Sequence, residues 1–90
     1  MPTQEFLNAV NTVKQLAASP SNEELSELYG LYKQALIGDI NTERPSFINF
    51  KDVKKWDGWF KYKGLDQFDA EIKYVVLVNE LITKYGLHHN

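Results

Sequence analysis

The segment SNEELSELYGLYKQALIG, from Ser21 to Gly38, is the clearest helix signal in the sequence. Ser21 is followed three residues later by Glu24, the capping-box spacing in which each side chain binds the other residue's backbone N–H. Leucine and tyrosine then recur at helical spacing, and glycine at position 38 is a residue that commonly ends a helix. The segment therefore predicts an amphipathic helix with both ends defined.

Three further segments on either side of it have helical periodicity, and no segment has a strand pattern of comparable strength. The predicted helices run from about Thr3 to Ala18, from Lys51 to Lys61 and from Asp66 to Tyr85. The connection Asp39–Phe50 is long for a loop, which indicates a packing or functional role of its own. Ninety residues are enough for one domain and too few for two, so we expect one all-α domain.

Composition excludes several classes of function. Ten Lys and Arg against twelve Asp and Glu give a net charge of -2, which argues against a general nucleic-acid-binding protein. The absence of cysteine excludes disulfides and thiolate metal ligands. No apolar run approaches the length that spans a bilayer, and the opening MPTQEFLNAV lacks the features of a secretory signal. The expected location is therefore the cytoplasm.

No catalytic or metal-binding constellation is present in the sequence. His88 and His89 lie at the C-terminus, outside the predicted helices, where a buried triad or metal site is difficult to build. The acidic stretch from Asp39 resembles a calcium loop only superficially, because Arg44 replaces the glycine that such a loop requires. No glycine-rich phosphate loop and no nucleophile–base pair is found. We expect no enzyme, no metal and no cofactor.

Two groups of side chains could instead bind a ligand. Tyr29, Tyr32 and Lys33 stand at i, i+3 and i+4, so they project from one face of the predicted helix. Two aromatic rings beside an ammonium suit a nucleotide, although tyrosines at this spacing also serve as half-buried core beside a lysine. Lys51, Lys54 and Lys55 form a second cationic group on the next helix, where Lys51 and Lys55 share a face, and the group is either a phosphate site or a solvated surface. Spacing alone leaves both alternatives open.

Several motifs in a fixed order carry a family resemblance. They are YGLYKQA from Tyr29, LIGDINTERP ending at Pro45, KWDGW from Lys55 and KYG ending at Gly86. Together they resemble the signature of the acyl-CoA-binding protein family, over essentially the whole chain. The resemblance implies a four-helix up-down-down-up bundle and a single acyl-CoA-binding domain over residues 1–90.

The resemblance also implies which residues bind the ligand. Tyr29, Lys33 and Lys55 would hold the adenine and 3′-phosphate end of coenzyme A. Tyr32 would line the adenine and acyl groove, and Tyr74 would offer its hydroxyl and ring from the last helix. The complete set implied for acyl-CoA is Lys14, Tyr29, Gly30, Leu31, Tyr32, Lys33, Lys51, Lys55 and Tyr74, with Ala9, Val13 and Leu25 supporting the apolar groove.

The function implied is high-affinity binding of medium- to long-chain fatty acyl-CoA esters by an intracellular carrier and pool former. Such a protein acts as a monomer without chemistry on its ligand, without nucleic acid and without stable membrane insertion, and contacts membranes or acyl-CoA-using enzymes transiently. The alternative is a helical interaction module whose aromatic groove accepts a peptide or partner helix. Ser26, Leu36 and Ser46 depart from the family pattern, and none of them belongs to the implied phosphate contacts.

Overall fold

A computed structural model describes residues 2–88 and contains four α-helices within them. These are α1 (Gln4–Thr12), α2 (Asn22–Leu36), α3 (Phe50–Phe60) and α4 (Gln67–Tyr85), with a 3₁₀ turn at Val13–Gln15 after α1. In the described part of the chain the only β-type pairing is an isolated antiparallel bridge between Leu16 and Leu87. The all-α prediction is confirmed.

Helix α2 begins and ends where the sequence predicts. Ser21 Oγ accepts a hydrogen bond from the Glu24 backbone N–H at 3.1 Å, and Glu24 Oε1 accepts one from the Ser21 N–H at 2.8 Å. Both halves of the capping box are therefore formed. At the other end Gly38 has φ 96°, a left-handed conformation that glycine adopts without steric cost. Local chemistry is enough to define this helix.

The first helix is shorter than predicted. The sequence indicated a helix to about Ala18, whereas α1 ends at Thr12 and its last turn tightens into the 3₁₀ turn. Leu16 is extended, at ψ 138°, because it pairs with Leu87 beyond the end of α4. The Ala17 N–H donates to Gly86 O at 2.8 Å in the same pairing. A contact with the distant C-terminal segment therefore overrides the helical periodicity of residues 16–18.

Helices α1 and α4 run in the same direction. Thr3, at the start of α1, donates its backbone N–H to Glu71 Oε1 near the start of α4 at 2.7 Å. Beyond the far ends of both helices, the His88 N–H donates to Gln15 O at 2.7 Å. Their axes are therefore parallel.

Helix α2 runs opposite to α4 and parallel to α3. Lys84, at the end of α4, binds Glu24 in the first turn of α2 at 2.9 Å. Ser26 Oγ donates to Lys54 O at 3.1 Å, and one turn further along both helices Gly30 packs against Gly58. The order along the chain is thus up, down, down, up, as the resemblance implied.

The backbones of α2 and α3 touch at a pair of glycines. A Cβ atom added to Gly30 would lie 2.1 Å from Gly58 O, and one added to Gly58 would lie 2.4 Å from Ser26 O. Both distances are far below van der Waals contact, so neither position has room for a side chain. The two glycines set how closely α3 approaches α2.

The connection after α2 runs back along α3 and is tied to it. Trp59 Nε1 donates to Gly38 O at 2.8 Å, and Trp56 Nε1 donates to Thr42 O at 3.0 Å. Arg44 then pairs with Asp57 through two hydrogen bonds of 2.9 Å. The long connection has the packing role that its length suggested.

The main core lies between α1, α2 and α4. Its most deeply buried members are Phe6, Ala70, Val78 and Leu81. None of the helices in residues 2–88 has the length and apolarity needed to cross a membrane. Within that range no three His, Cys, Asp or Glu side chains are grouped as metal ligands. His89 lies outside the described residues.

Candidate ligand-binding site

The candidate site is a groove of about 610 Å³ on the seam between α2 and α3. Leu25 and Tyr29 of α2 form one wall, and Phe50, Lys51 and Lys55 of α3 form the other. Asn22, Ser26 and Lys54 complete the lining. Because α2 and α3 are parallel and in contact at Gly30 and Gly58, the seam is closed at one end and opens between their first turns. The lining combines Leu25, Tyr29 and Phe50 with the cations Lys51, Lys54 and Lys55.

Two lysines reach across the seam to aromatic rings of the opposite helix. Lys55 Nζ on α3 lies 5.6 Å from the centre of the Tyr29 ring on α2. One turn further on, Lys33 Nζ on α2 lies 4.9 Å from the Trp59 ring on α3. Both distances are within the range of cation–π attraction. The arrangement brings Tyr29, Lys33 and Lys55 together on one surface.

These lysines have no carboxylate partner in residues 2–88. The ion pairs formed there join Arg44 to Asp57, Lys61 to Glu27 and Lys84 to Glu24. Four lysines on the groove and seam belong to none of these pairs: Lys33, Lys51, Lys54 and Lys55. Unpaired ammonium groups are available to phosphate oxygens without first breaking an ion pair.

A second depression of about 400 Å³ shares Ser26, Phe50 and Lys54 with the groove, and its other charged side chains are already paired. Arg44 and Asp57 meet there, and Lys61 and the Tyr62 hydroxyl both donate to Glu27. Burial alone would raise the pKa of Glu27, but the hydrogen bonds from Lys61 and Tyr62 outweigh it and lower that pKa. Lys54, which lines both depressions, is therefore the one cation in this lining that is unpaired within residues 2–88, whereas the larger groove has Lys51, Lys54 and Lys55.

An aromatic cluster between α1, α2 and α4 includes two of the predicted site residues. Tyr32 is half-buried, with its ring centre 6.2 Å from that of Phe6 and 6.3 Å from that of Tyr74. Tyr74 is buried against Phe6 at 5.1 Å. Burial, and secondarily Tyr32, raises the pKa of Tyr74 to about 12, so its hydroxyl stays protonated and able to donate.

The remaining predicted residues fall into three situations. Lys51 lines the groove. Gly30 and Leu31 are buried, Gly30 against the α3 backbone and Leu31 in the core, so in this structure they shape the seam without forming its surface. Lys14 is exposed on the 3₁₀ turn after α1 and lines neither of the two grooves described above. Of the three supporting residues, Leu25 lines the groove, Ala9 is buried in the core and Val13 packs against it.

The sequence did not identify Phe50 and Asn22 as lining residues, and it placed Lys54 in a cationic group with Lys51 and Lys55 without including it in the ligand set. Phe50 was assigned to the connection, although it is the first residue of α3. Lys54 follows Lys51 at i+3, which is the spacing of one helix face and was the available signal. Asn22 carried no such signal, because it becomes part of the groove only when α2 and α3 pair.

Sequence comparisons match this chain to known proteins of one kind. A family model described as acyl CoA binding protein matches residues 3–78. The chain is 49% identical over 84 residues to acyl-CoA-binding protein homolog 1 of Caenorhabditis elegans, covering 93% of this chain and 98% of that protein. It is 47% identical over 86 residues to the acyl-CoA-binding protein of Saccharomyces cerevisiae, covering 96% and 99%.

Solved structures agree as well. The crystal structure of Oryza sativa acyl-CoA-binding protein 2 superimposes with a TM-score of 0.86 at 38% identity, covering 90% of this chain and 88% of that one. The solution structure of acyl coenzyme A binding protein from yeast gives a TM-score of 0.72 at 47% identity, covering 92% and 96%.

Proposed function

This chain belongs to the acyl-CoA-binding protein family, and on that premise we propose that it binds medium- to long-chain fatty acyl-CoA esters and carries them. The observation that carries the proposal is the pair of lysines at the α2–α3 seam. Lys33 and Lys55 have no carboxylate partner in residues 2–88, and each lies on an aromatic ring of the opposite helix. Lys55 lines the apolar groove, and Lys33 lies one helical turn beyond Tyr29, the last groove residue of α2. A polyanionic nucleotide head joined to an apolar tail fits that combination.

Contacts to the head group determine which ligand the protein recognises. Each charge-assisted hydrogen bond from Lys33 or Lys55 to a phosphate contributes roughly 1.5–3 kcal/mol. Stacking of adenine on a tyrosine ring adds about 1–3 kcal/mol. Tyr29 and Tyr32 are the rings that this proposal assigns to the adenine. These contacts distinguish coenzyme A from other ligands with an acyl tail.

The tail supplies most of the affinity. A palmitoyl chain offers about 14 methylenes, and burial at about 0.8 kcal/mol each gives an upper limit near 11 kcal/mol before ordering costs. Leu25 and Phe50 are the apolar side chains of the groove that would cover its beginning. Affinity should therefore rise with chain length.

We propose further that the protein performs no chemistry on the ligand, and that it acts in the cytoplasm as a monomeric, single-domain carrier with transient contacts to membranes or acyl-CoA-using enzymes. Support comes from the family, whose members are named for binding. Incubation with palmitoyl-CoA should leave the thioester intact, and appearance of free CoA would contradict the proposal.

Calorimetric titration tests the binding proposal directly. Palmitoyl-CoA should bind tightly, CoA weakly and free palmitate barely, because only the ester satisfies both the cations and the apolar groove. Dephospho-CoA esters should bind far more weakly than their parents. A groove for a peptide or partner helix, the alternative function, would ignore all of these ligands. Tight binding of palmitate would overturn the assignment of Lys33 and Lys55 to the head group.

A further inference from the structure

The end of the connection and the first residue of α3 carry three large apolar side chains that are mostly exposed. Phe47 is 82% exposed, Ile48 79% and Phe50 65%. We refer to these three residues as the apolar tip. Neighbouring exposed apolar side chains are costly in water and mark an interaction surface when they are clustered.

The apolar tip is presented by an anchored segment. Arg44 is held to Asp57 just before it, and the Asn49 N–H donates to Ser46 O at 2.9 Å to form a turn at its centre. The Val53 N–H then donates to Asn49 O at 2.9 Å as α3 begins. The backbone is thus fixed on both sides of Phe47 and Ile48, and their exposure does not result from a missing local structure.

The charges around the apolar tip are mainly positive. Lys54 Nζ lies 5.5 Å from the centre of the Phe50 ring, and Lys51 and Lys55 follow on the same end of α3. Asp52 is the single acidic residue of segment 47–55 and lies about 100° around the helix from Lys51. Three lysines against one aspartate make this end cationic in a chain whose net charge is -2.

We propose that the apolar tip and the lysines beside it form a reversible docking surface for an anionic phospholipid bilayer. Apolar side chains that insert among acyl chains, surrounded by cations that meet anionic headgroups, are the chemistry of the membrane interface. Phe47 and Ile48 line neither groove, and such projecting side chains suit a fluid surface better than a shaped protein pocket. Because Phe50 also lines the larger groove, docking places the groove entrance at the membrane. The docking surface gives a location to the transient membrane contact of the proposed function, and collection of acyl-CoA from the bilayer rests on that function.

Vesicle binding by the full chain without acyl-CoA tests the proposal. The wild-type protein should float with vesicles of phosphatidylcholine mixed with phosphatidylserine, and should bind those of phosphatidylcholine alone more weakly. Added salt should weaken binding, since it screens the lysines. The double variant Phe47→Ser/Ile48→Ser should lower the partition coefficient on mixed vesicles at least about tenfold, because two inserting side chains are lost.

A matched control is Leu36→Ser/Ile37→Ser, which removes two exposed apolar side chains at the opposite end of α2. This variant should bind vesicles as the wild type does. Octanoyl-CoA titration of Phe47→Ser/Ile48→Ser without vesicles should give the wild-type affinity, so that a failure of docking is separable from a failure of ligand binding. Equal vesicle binding by the wild type and Phe47→Ser/Ile48→Ser would overturn the proposal, and so would a wild type that binds neither kind of vesicle. Either result would indicate that the apolar tip contacts a protein partner instead of a membrane.

Discussion

Lys55 Nζ on α3 lies 5.6 Å from the centre of the Tyr29 ring on α2, so two predicted head-group residues from separate helices lie against each other. Lys33 and Trp59 repeat the relationship in reverse one turn further along, at 4.9 Å. The rings hold both ammonium groups at the seam and reduce the number of rotamers that ligand binding must restrict. Preorganisation of this kind lowers the ordering cost of binding.

Replacement of either lysine by glutamine should weaken binding of palmitoyl-CoA roughly 10- to 150-fold, which corresponds to the loss of about 1.5–3 kcal/mol from one charge-assisted hydrogen bond. Calorimetric titration of Lys33→Gln and Lys55→Gln measures the loss. Lys73→Gln is the control, because Lys73 is exposed on α4 and lies outside the groove. With dephospho-palmitoyl-CoA the penalty of the two variants should largely disappear. An equal loss of affinity for both ligands would show that these lysines do not contact the 3′-phosphate.

A substitution in the apolar groove should weaken binding of the acyl ester without affecting binding of CoA. Leu25 is 47% exposed on the groove wall, and Leu25→Ala should reduce affinity for palmitoyl-CoA about 5- to 30-fold by removing roughly 1–2 kcal/mol of apolar contact. Affinity for CoA itself should not change. Leu36→Ala removes a comparably exposed leucine at the far end of the same helix and should leave both affinities unchanged. A similar loss for CoA and palmitoyl-CoA in Leu25→Ala would show that the tail lies elsewhere.

The sequence predicts those features whose causes are local. The capping box of Ser21 and Glu24 defines α2 without any tertiary contact, and it forms as expected. The end of α1 could not be predicted in this way, because Leu16 leaves the helix to pair with Leu87, far away in the chain. Helical periodicity detects which residues share a face but carries no information on such a partner.

The same limit applies to the site. Periodicity places Tyr29 and Lys33 on one face of α2, whereas it does not say that Lys55 lies opposite them; only the family resemblance joined the two helices. Phe50 is the clearest case of what was missed. Its role as both groove wall and exposed apolar residue depends on how α3 begins beside α2.

The contact between Gly30 and Gly58 predicts an unusual response to alanine. In an exposed helix, replacing glycine by alanine stabilises by about 0.5–1 kcal/mol. Gly30→Ala should instead destabilise the folded protein by about 1–3 kcal/mol, because the new Cβ would lie 2.1 Å from Gly58 O and would force α3 away from α2. Urea denaturation measures the change, and Gly58→Ala should behave alike since its Cβ would meet Ser26 O. Glu80→Ala, at an exposed position on α4, should change stability little. A more stable Gly30→Ala protein would mean that the two helices are further apart.

Glu24 predicts how stability depends on pH. Its carboxylate accepts hydrogen bonds from the Tyr85 hydroxyl, the Ser21 N–H and Lys84 Nζ, joining the start of α2 to the end of α4. The hydrogen bond from Tyr85, followed by those from Ser21 and Lys84, lowers the pKa of Glu24 from 4.5 to about 2. A carboxyl whose pKa is lower in the folded state stabilises the fold above the unfolded value and loses that contribution as pH falls through the folded one. Wild-type stability should therefore drop between pH 4.5 and about 2 through this group.

Glu24→Gln tests the assignment, because glutamine keeps the size of the side chain and cannot titrate. The variant should be less stable than the wild type near neutral pH, and the two should converge as the pH approaches 2, the lowered pKa of Glu24. Glu23→Gln is the control, since this exposed neighbour makes none of the hydrogen bonds to Tyr85, Lys84 or Ser21 described above. Near neutral pH this variant should keep the stability of the wild type. Parallel stability curves for Glu24→Gln and the wild type would mean that the acid sensitivity of the bundle arises from other carboxylates, because only a group whose pKa changes on folding alters the slope of stability with pH.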